Sequence, residues 1–461
     1  MVVRIGIDIA IRAPHQASAA DAAGVFLFSG HRFRTVPTDL ERLWARLPEV
    51  ASPGEIEVIM EPTRNAWVPL AAWFRRKGAT VFLVPPERSA DLRAYYAKHV
   101  KSDRMDSRLL ARLPMLHPEG LHPETGLGPG DRLRRATKLH DTLTKRRSQN
   151  LARIDALLEI LGPRWHAAFN GRLANLTPLR FLAAGYADPH TVKRLGAARV
   201  TRFLARHSRG AWNQAEAEQI MAAARESIDL WADGLEFGDL AEDIAIEARL
   251  ALQLTAELKE LDERIALLLA EADPDGILQS VPGIGPVTAA VIAGRIGDPH
   301  RFTSLAAVRS YSGLVPALTS SGTSGGHGGP TKRGDALLRS ALFSAADQAR
   351  KTDPQIAAAY HRLVVATGKH HTSATCTIAA TLLTRAVACW RAGTPYAIRD
   401  TDGTRVTIAE GRTIVTEHYT VPAQIRSARS RLNGTGRRNK ESPSAPSTGP
   451  SAHKARAAIP A

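Results

Sequence analysis

The spacing of apolar and polar positions divides the chain into two regimes. Up to Pro86, short apolar runs alternate with turn residues, as in strands joined by short helices. Residues 2–9 (VVRIGIDI) are β-branched and apolar, which predicts a buried central strand with Asp8 at its C-terminal end. Residues 17–36, broken at Gly24, supply two further strands of a meander, and 40–47 a short helix. Residues 55–60 predict another strand, and Pro62 places Glu61 at its tip because proline cannot continue a ladder. A helix over 66–77, a strand over 80–84, a stop at Pro85-Pro86 and a helix carrying Asp103 and Asp106 complete an α/β domain. Its limits are 1–130, the end being a Pro/Gly-rich linker that runs from Leu113 to Gly130.

From residue 131 onward the period is helical. The region 131–272 opens on a helix over 131–161 and ends on a heptad pattern of Leu240, Ile244, Glu247, Ala251, Leu254, Leu258, Leu261, Ile265 and Leu268. Spacings alternating between four and three predict a coiled-coil seam joining protomers into a dimer or tetramer. The plain alternative is an amphipathic helix packed on its own domain. The region 273–400 is a second α-helical domain. In it, Leu278–Ala289 is a Gly-rich turn of helix-hairpin-helix form that frees backbone N–H groups for phosphate, with Gly283 and Gly285 as DNA contacts. Residues 317–330 read as a flexible surface loop and 335–391 as an Ala/Leu-rich packing layer. The remainder, 401–461, is a basic low-complexity tail, expected to be disordered beyond 421.

Charge narrows the function classes. Lys and Arg number 61 against 45 Asp and Glu, a net charge of +16, which points to a polyanion partner, nucleic acid being the commonest. Eight cations lie on the helix over 131–161: Arg132, Arg134, Arg135, Lys138, Lys145, Arg146, Arg147 and Arg153. A solvated face and a phosphate-binding face both fit them. No apolar run of about 18 residues suggests a membrane span, and residues 1–8 lack the features of a signal peptide. Cys376 and Cys389 are too few for a disulfide scaffold, so buried free thiols and a cytoplasmic location are expected. His361, His370 and His371 have no carboxylate or Cys partner at ligand spacing.

The chemistry concentrates in carboxylates. Asp103 and Asp106, three residues apart, share one helix face among Lys101, Arg104, Arg108 and Arg112. An ordinary helix start, capped by Ser102 and favoured by the macrodipole, accounts for them locally. Asp8 and Glu61 at strand ends change that balance, because ligands of α/β sheets bind at strand ends. Four acids gathered there need cations between them, and two hard ions about 4 Å apart suit phosphodiester chemistry. Far along the chain, serines of the 317–330 loop precede Lys332, Arg333 and Arg339, which can offset the charge of an attacked phosphate.

The motifs Gly6-Ile7-Asp8, Met60-Glu61-Pro62-Thr63, Val84-Pro85 and Lys101-Ser102-Asp103-Arg104-Met105-Asp106-Ser107 resemble those of the DEDD transposases of bacterial insertion sequences. So do Gly313-Leu314-x-Pro316, a Ser-Gly pair, Lys332-x-Gly334 and Leu338-Arg339. The resemblance covers roughly 3–112 and 277–391. It implies an RNase H-like N-terminal domain similar to that of Holliday-junction resolvases, with Asp8, Glu61, Asp103 and Asp106 as a tetrad for Mg2+. It also implies a nucleophilic serine that maps to Ser321, with Ser320 the adjacent alternative and Ser324 a weaker one. A phosphoserine link to DNA and target choice by an element-encoded guide RNA belong to the same implication. This chain departs from the pattern in having Arg64 for Gly, Ser102 for Thr and Asp335 for Asn. Two other classes compete: a junction-resolving nuclease that uses water and only the four acids, and a non-enzymatic DNA-binding scaffold.

Overall fold

The structure, a computed structural model, describes residues 2–48, 52–86, 89, 102–116, 118, 121, 123, 124, 126, 128, 130–169, 171–321, 324–331 and 334–425, with 316–330 as backbone. Contacts divide the chain into two units, Met1–Gly128 and Pro129–Ala461.

The first unit is built on a five-stranded mixed sheet. Its strands are β1 (Val3–Asp8), β2 (His15–Ala20), β3 (Phe26–Phe33), β4 (Ile56–Met60) and β5 (Thr80–Leu83), in the order β3-β2-β1-β4-β5. The helices are α1 (Pro37–Trp44), α2 (Trp67–Arg76) and α3 (Asp103–Leu116), so the element order is the expected one. The apolar run of β1 does take the centre: it is antiparallel to β2 and parallel to β4. Side chains alternate between the faces of a strand, and that alternation sorts the residues. Val3, Ile5 and Ile7, with Val58 and Met60, join Leu40, Leu43, Leu70 and Phe74 of α1 and α2 in one core. Ile59 falls on the opposite face, in a smaller cluster with Val84 and with Leu110 and Leu113 of α3.

Gly6 lies at the centre of that second face and fixes how closely α3 lies on it. A Cβ there would stand 2.1 Å from Ser107 O and 2.3 Å from Ala111 N, so only glycine admits the helix backbone. The buried hydroxyls of Ser107 and Ser18 meet at 2.8 Å and tie the helix to β2. Arg108 and Arg112 stack on the Phe26 ring at 4.4 and 4.5 Å, and Arg104 donates to Ser29. All three guanidinium groups thus lie toward β3.

The second unit is helical apart from one β-hairpin. Its elements are α4 (Gly130–Leu161), α5 (Arg164–Phe169), α6 (Leu176–Ala183), α7 (Pro189–Ser208), α8 (Gln214–Trp231), α9 (Phe237–Ala272), α10 (Pro286–Ile296), α11 (Leu305–Ser312), β6 (Pro316–Ser321), β7 (Ser324–Pro330), α12 (Ala336–Ala349), α13 (Pro354–His361), α14 (His371–Ala392) and α15 (Ile408–His418). The long helices α4 and α9 run antiparallel, as four cross-pairs show: Arg132 to Glu271, His140 to Asp262, Arg147 to Thr255 and Asn150 to Glu247. One apolar core gathers at one end of the pair (Leu133, Leu261, Ile265, Leu268), and another at the other end (Ile154, Leu158, Leu240, Ile244).

This pairing bears directly on the heptad seam. Leu240, Ile244, Ala251, Leu261, Ile265 and Leu268 are buried within the chain, and Glu247, Leu254 and Leu258 are half-exposed. A helix packed on its own unit accounts for the pattern. The expected loop over 317–330 is a correction: β6 pairs with β7 in antiparallel register from Pro316↔Pro330 to Ser321↔Ser324. Thr319 is β-branched and suits a strand, and pairing across the ladder holds the rest of the segment extended. Within the stretch 401–461, expected to be a low-complexity tail, Ile408–His418 forms α15, and Val421 is 5% exposed and joins a core. Lys101, Lys332, Arg333 and the tail from 426 lie outside the described residues. Cys376 and Cys389 are half-buried and form no disulfide among the described residues. No helix among the described residues is long and apolar enough to cross a membrane.

Candidate active site

Strand parity builds the site. Asp8 shares the parity of Gly6 on β1, and Glu61 that of Ile59 on β4, so both sit on the face that α3 covers. The parallel register Ile7↔Met60 places Asp8 and Glu61 one step further along neighbouring strands, about 4.8 Å apart at the backbone. Asp106, in the first turn of α3, is 9% exposed. Together Asp8, Glu61 and Asp106 line one cleft with Ser89, Leu109, Leu110 and Leu113. Asp103 begins the same helix but is exposed and does not line the cleft. The chain thus brings three of the four expected acids together.

Ser89 is the residue that sequence reasoning missed. Its buried hydroxyl donates to Glu61 Oε2 at 2.6 Å and lies 3.0 Å from Pro86 O. The only signal for it was position, just past the strand-ending prolines at the C-terminal edge of the sheet. The donors of the cleft, three carboxylates and a hydroxyl, are hard oxygens of the kind that Mg2+ takes. The internal space, about 10 Å3, is that of a single water or ion. Among the described residues no three His, Cys, Asp or Glu side chains already converge on one ligating point. What fits a divalent cation is the donor chemistry, and Asp8, Glu61 and Asp106 are the residues that would hold it.

The remaining candidates lie in the second unit. Ser320 and Ser321 are the last two residues of β6, facing Gly325 and Ser324 across the ladder. The base of this hairpin is held by the residues around it. Thr331 N–H donates to Val315 O at 2.9 Å, and Arg339 Nη1 to Ser312 O at 3.4 Å. Asp335 caps α12 through Leu338 N–H and pairs with the buried Arg295 at 3.1 Å. Gly283 packs flat on α12, where a Cβ would meet Ala345 O at 2.1 Å, while Gly285 faces open space as N-cap of α10. The close approach to α12 is a structural reason for Gly283.

Comparison with known proteins gives this arrangement a family. A DEDD transposase model of the IS110 type matches residues 5–163, and a transposase IS116/IS110/IS902 family model matches 275–361. The chain belongs to the IS110/IS116 transposase family. It is 37% identical over 161 residues to an uncharacterized 43.6 kDa protein of insertion element IS110 from Streptomyces coelicolor, covering 34% of this chain and 39% of that one. It is 26% identical over 352 residues to an uncharacterized 44.8 kDa protein of insertion element IS116 from Streptomyces clavuligerus, 75% of this chain and 84% of that one. A transposase for insertion element IS1328 from Yersinia enterocolitica is 32% identical over 93 residues, 20% of this chain and 28% of that one. In this member of the transposase family, the first model spans the acid cleft and the second spans the serine hairpin with its base.

The basic face of α4 proves largely engaged within the chain itself. Arg132 pairs with Glu271, Arg135 with Asp131, Lys138 and Lys145 with Asp141, and Arg153 with Glu247. Arg134 and Arg147 donate to backbone carbonyls.

Proposed function

We propose that this chain cuts and rejoins DNA strands for an insertion element. In this reading Asp8, Glu61, Asp103 and Asp106 hold Mg2+ in an RNase H-like first unit, and Ser321 is the nucleophile. A divalent cation bound there would stabilise charge on attacking and leaving phosphate oxygens. The chain's own part is to present three carboxylates to one cleft, two from the sheet and one from α3, and to fix Glu61 through Ser89. The serine Oγ forms a bond to phosphorus, the scissile P–O bond breaks, and the hydroxyl proton passes to the leaving oxygen. The reading includes an element-encoded guide RNA for target choice and a dimeric or tetrameric assembly. For that assembly the half-exposed Leu254 and Leu258 are what the seam leaves to a partner. The observation that carries the proposal is that Asp8, Glu61 and Asp106, from three separate elements, line one cleft.

The test is to trap the reaction on a nicked suicide substrate, denature it, and map any protein–DNA adduct by mass spectrometry. The parent protein is expected to carry the adduct on Ser321. Ser321→Ala should lose it while DNA binding survives, and Asp8→Asn should lose both adduct and Mg2+ affinity measured by calorimetry. The rival, a water-using nuclease, draws on the fact that the whole cleft is made by the first unit alone. Normal cleavage by a Ser320→Ala/Ser321→Ala/Ser324→Ala variant, with no adduct in the parent, would decide for it.

A further inference from the structure

The region between the two matched segments also carries an undissipated charge. From Arg180 to Arg209 there are seven cations, Arg180, Lys193, Arg194, Arg199, Arg202, Arg206 and Arg209, and one acid, Asp188. Asp188 accepts from the N–H groups of His190 and Thr191 as the cap of α7, so its carboxylate is turned to the helix start. Gly196 breaks α7, and in the segment beyond it Val200 and Leu204 are buried in the core. Arg199, Arg202 and Arg206 recur every three or four residues on the opposite side, followed by Arg209 just past the helix end, and all four are exposed. None of these four forms an ion pair among the described residues, in contrast to the cations of α4.

Helix-dipole compensation accounts for cations in a last turn and falls off within it, so it reaches Arg206 and Arg209 but not Arg199. The positive field is felt nearby. His207 has its imidazole held below the usual range by burial and by the neighbouring Arg180 and Arg206.

We propose that Arg199, Arg202, Arg206 and Arg209 form a site for the phosphate backbone of duplex DNA. The inference rests on the reading that the chain acts on DNA and assigns that contact a place. From Arg199 to Arg209 the rise is about 15 Å, which spans roughly four phosphates of one strand at 3.4 Å each. Duplex rather than unpaired strand follows from the rings at hand. Phe203 is enclosed by edge contacts with Phe181 and Tyr186 and a tilted one with His207, and Trp212 is 3% exposed beneath Arg172, so both rings are engaged within the chain rather than offered to an unstacked base.

The experiment measures affinity of the full chain for a random-sequence DNA duplex across a salt series. Arg199→Ala/Arg202→Ala/Arg206→Ala should lower the slope of log K against log salt by about 2.7, three contacts at 0.9 each. A matched control, Arg135→Ala/Lys138→Ala/Lys145→Ala on α4, should keep the parental slope, and thermal melts should show both variants folded. Parental slope in the α7 variant, with the parent binding DNA, overturns the site and leaves the DNA reading standing. An equal fall in the control reduces the effect to net charge and overturns it as well. A fall seen with a structured RNA hairpin and not with duplex DNA overturns it in favour of RNA. A parent that shows no salt-dependent affinity for duplex DNA takes the functional reading down with it.

Discussion

Arg64 shows how much one residue can say. It stands where the family pattern has glycine, and its φ of 48° lies in the left-handed region that glycine favours. An L-residue there costs about 1–2 kcal/mol, partly offset by the extra chain entropy that glycine loses on folding. Arg64→Gly is therefore expected to stabilise the first unit by about 0.5–1 kcal/mol, read by chemical denaturation; a loss of stability would mean the side chain is holding the turn. Motif spacing identified the departure, but only the backbone angle says why glycine suits the site. His15 is a second case. It is buried, accepts from Ala10 N–H at Nδ1, and meets Thr35 Oγ1 at Nε2. Burial holds its imidazole below the ordinary 6.5. The unfolded chain therefore takes up the proton first. Stability from this group is complete above about pH 6.5 and declines as pH falls below it, by at most about 1.4 kcal/mol per unit. His31 and His207 are depressed in the same direction, so the measurement is the difference between parent and His15→Gln. That difference should vanish in slope above pH 7, taken as about neutral, and grow on the acid side.

At the scale of elements, the docking of α3 on β1 is the decisive contact, because it carries Asp106 to Asp8. Gly6→Ala would drive a methyl into the backbone at Ser107 and Ala111. The expected cost is about 3 kcal/mol, with Mg2+ affinity falling further than stability alone explains. An unchanged melting temperature would show that α3 can ride outward freely. Most of this sheet was legible in advance, since each of its strands and helices announces itself by period and by a proline or glycine stop. Asp8 and Glu61 were legible as acids; their shared face follows from parity, which the alternation in Val3–Asp8 already contains. Ser89 was not legible, because a lone serine just past two prolines carries no period in the sequence. The hairpin β6–β7 was misread for a related reason: its glycines look like linker composition, whereas strand pairing depends on a partner across the ladder.

For the molecule as a whole, a net charge of +16 does not say which basic run is paired within the chain and which is left open to solvent. The densest basic run in the sequence, on α4, is answered partly by its own Asp131 and Asp141 and partly by Glu247 and Glu271 of α9, which lie more than ninety residues from their partners Arg153 and Arg132. The sparser arginines of α7 have no such answer among the described residues. The heptads misled in the same way: they specify a partner helix without saying that α4 of the same chain is the partner. Non-local pairing of this sort leaves no trace in local periodicity.

The antiparallel pair of α4 and α9 has a further consequence, one of phase. Its two ends belong to separate apolar cores, while the middle is bridged by Arg147 with Thr255 and His140 with Asp262. Each helical residue advances the azimuth by about 100° and the axis by 1.5 Å. One residue inserted in the middle of either helix would therefore wind one core out of step with the other, leaving each intact but facing the wrong way. Matched insertions of seven in both helices would bring the two cores back to within about 20° of their original facing. The span between the cores can thus vary among related chains only in steps of about two turns, and changes of length in one of these helices have to be answered in the other.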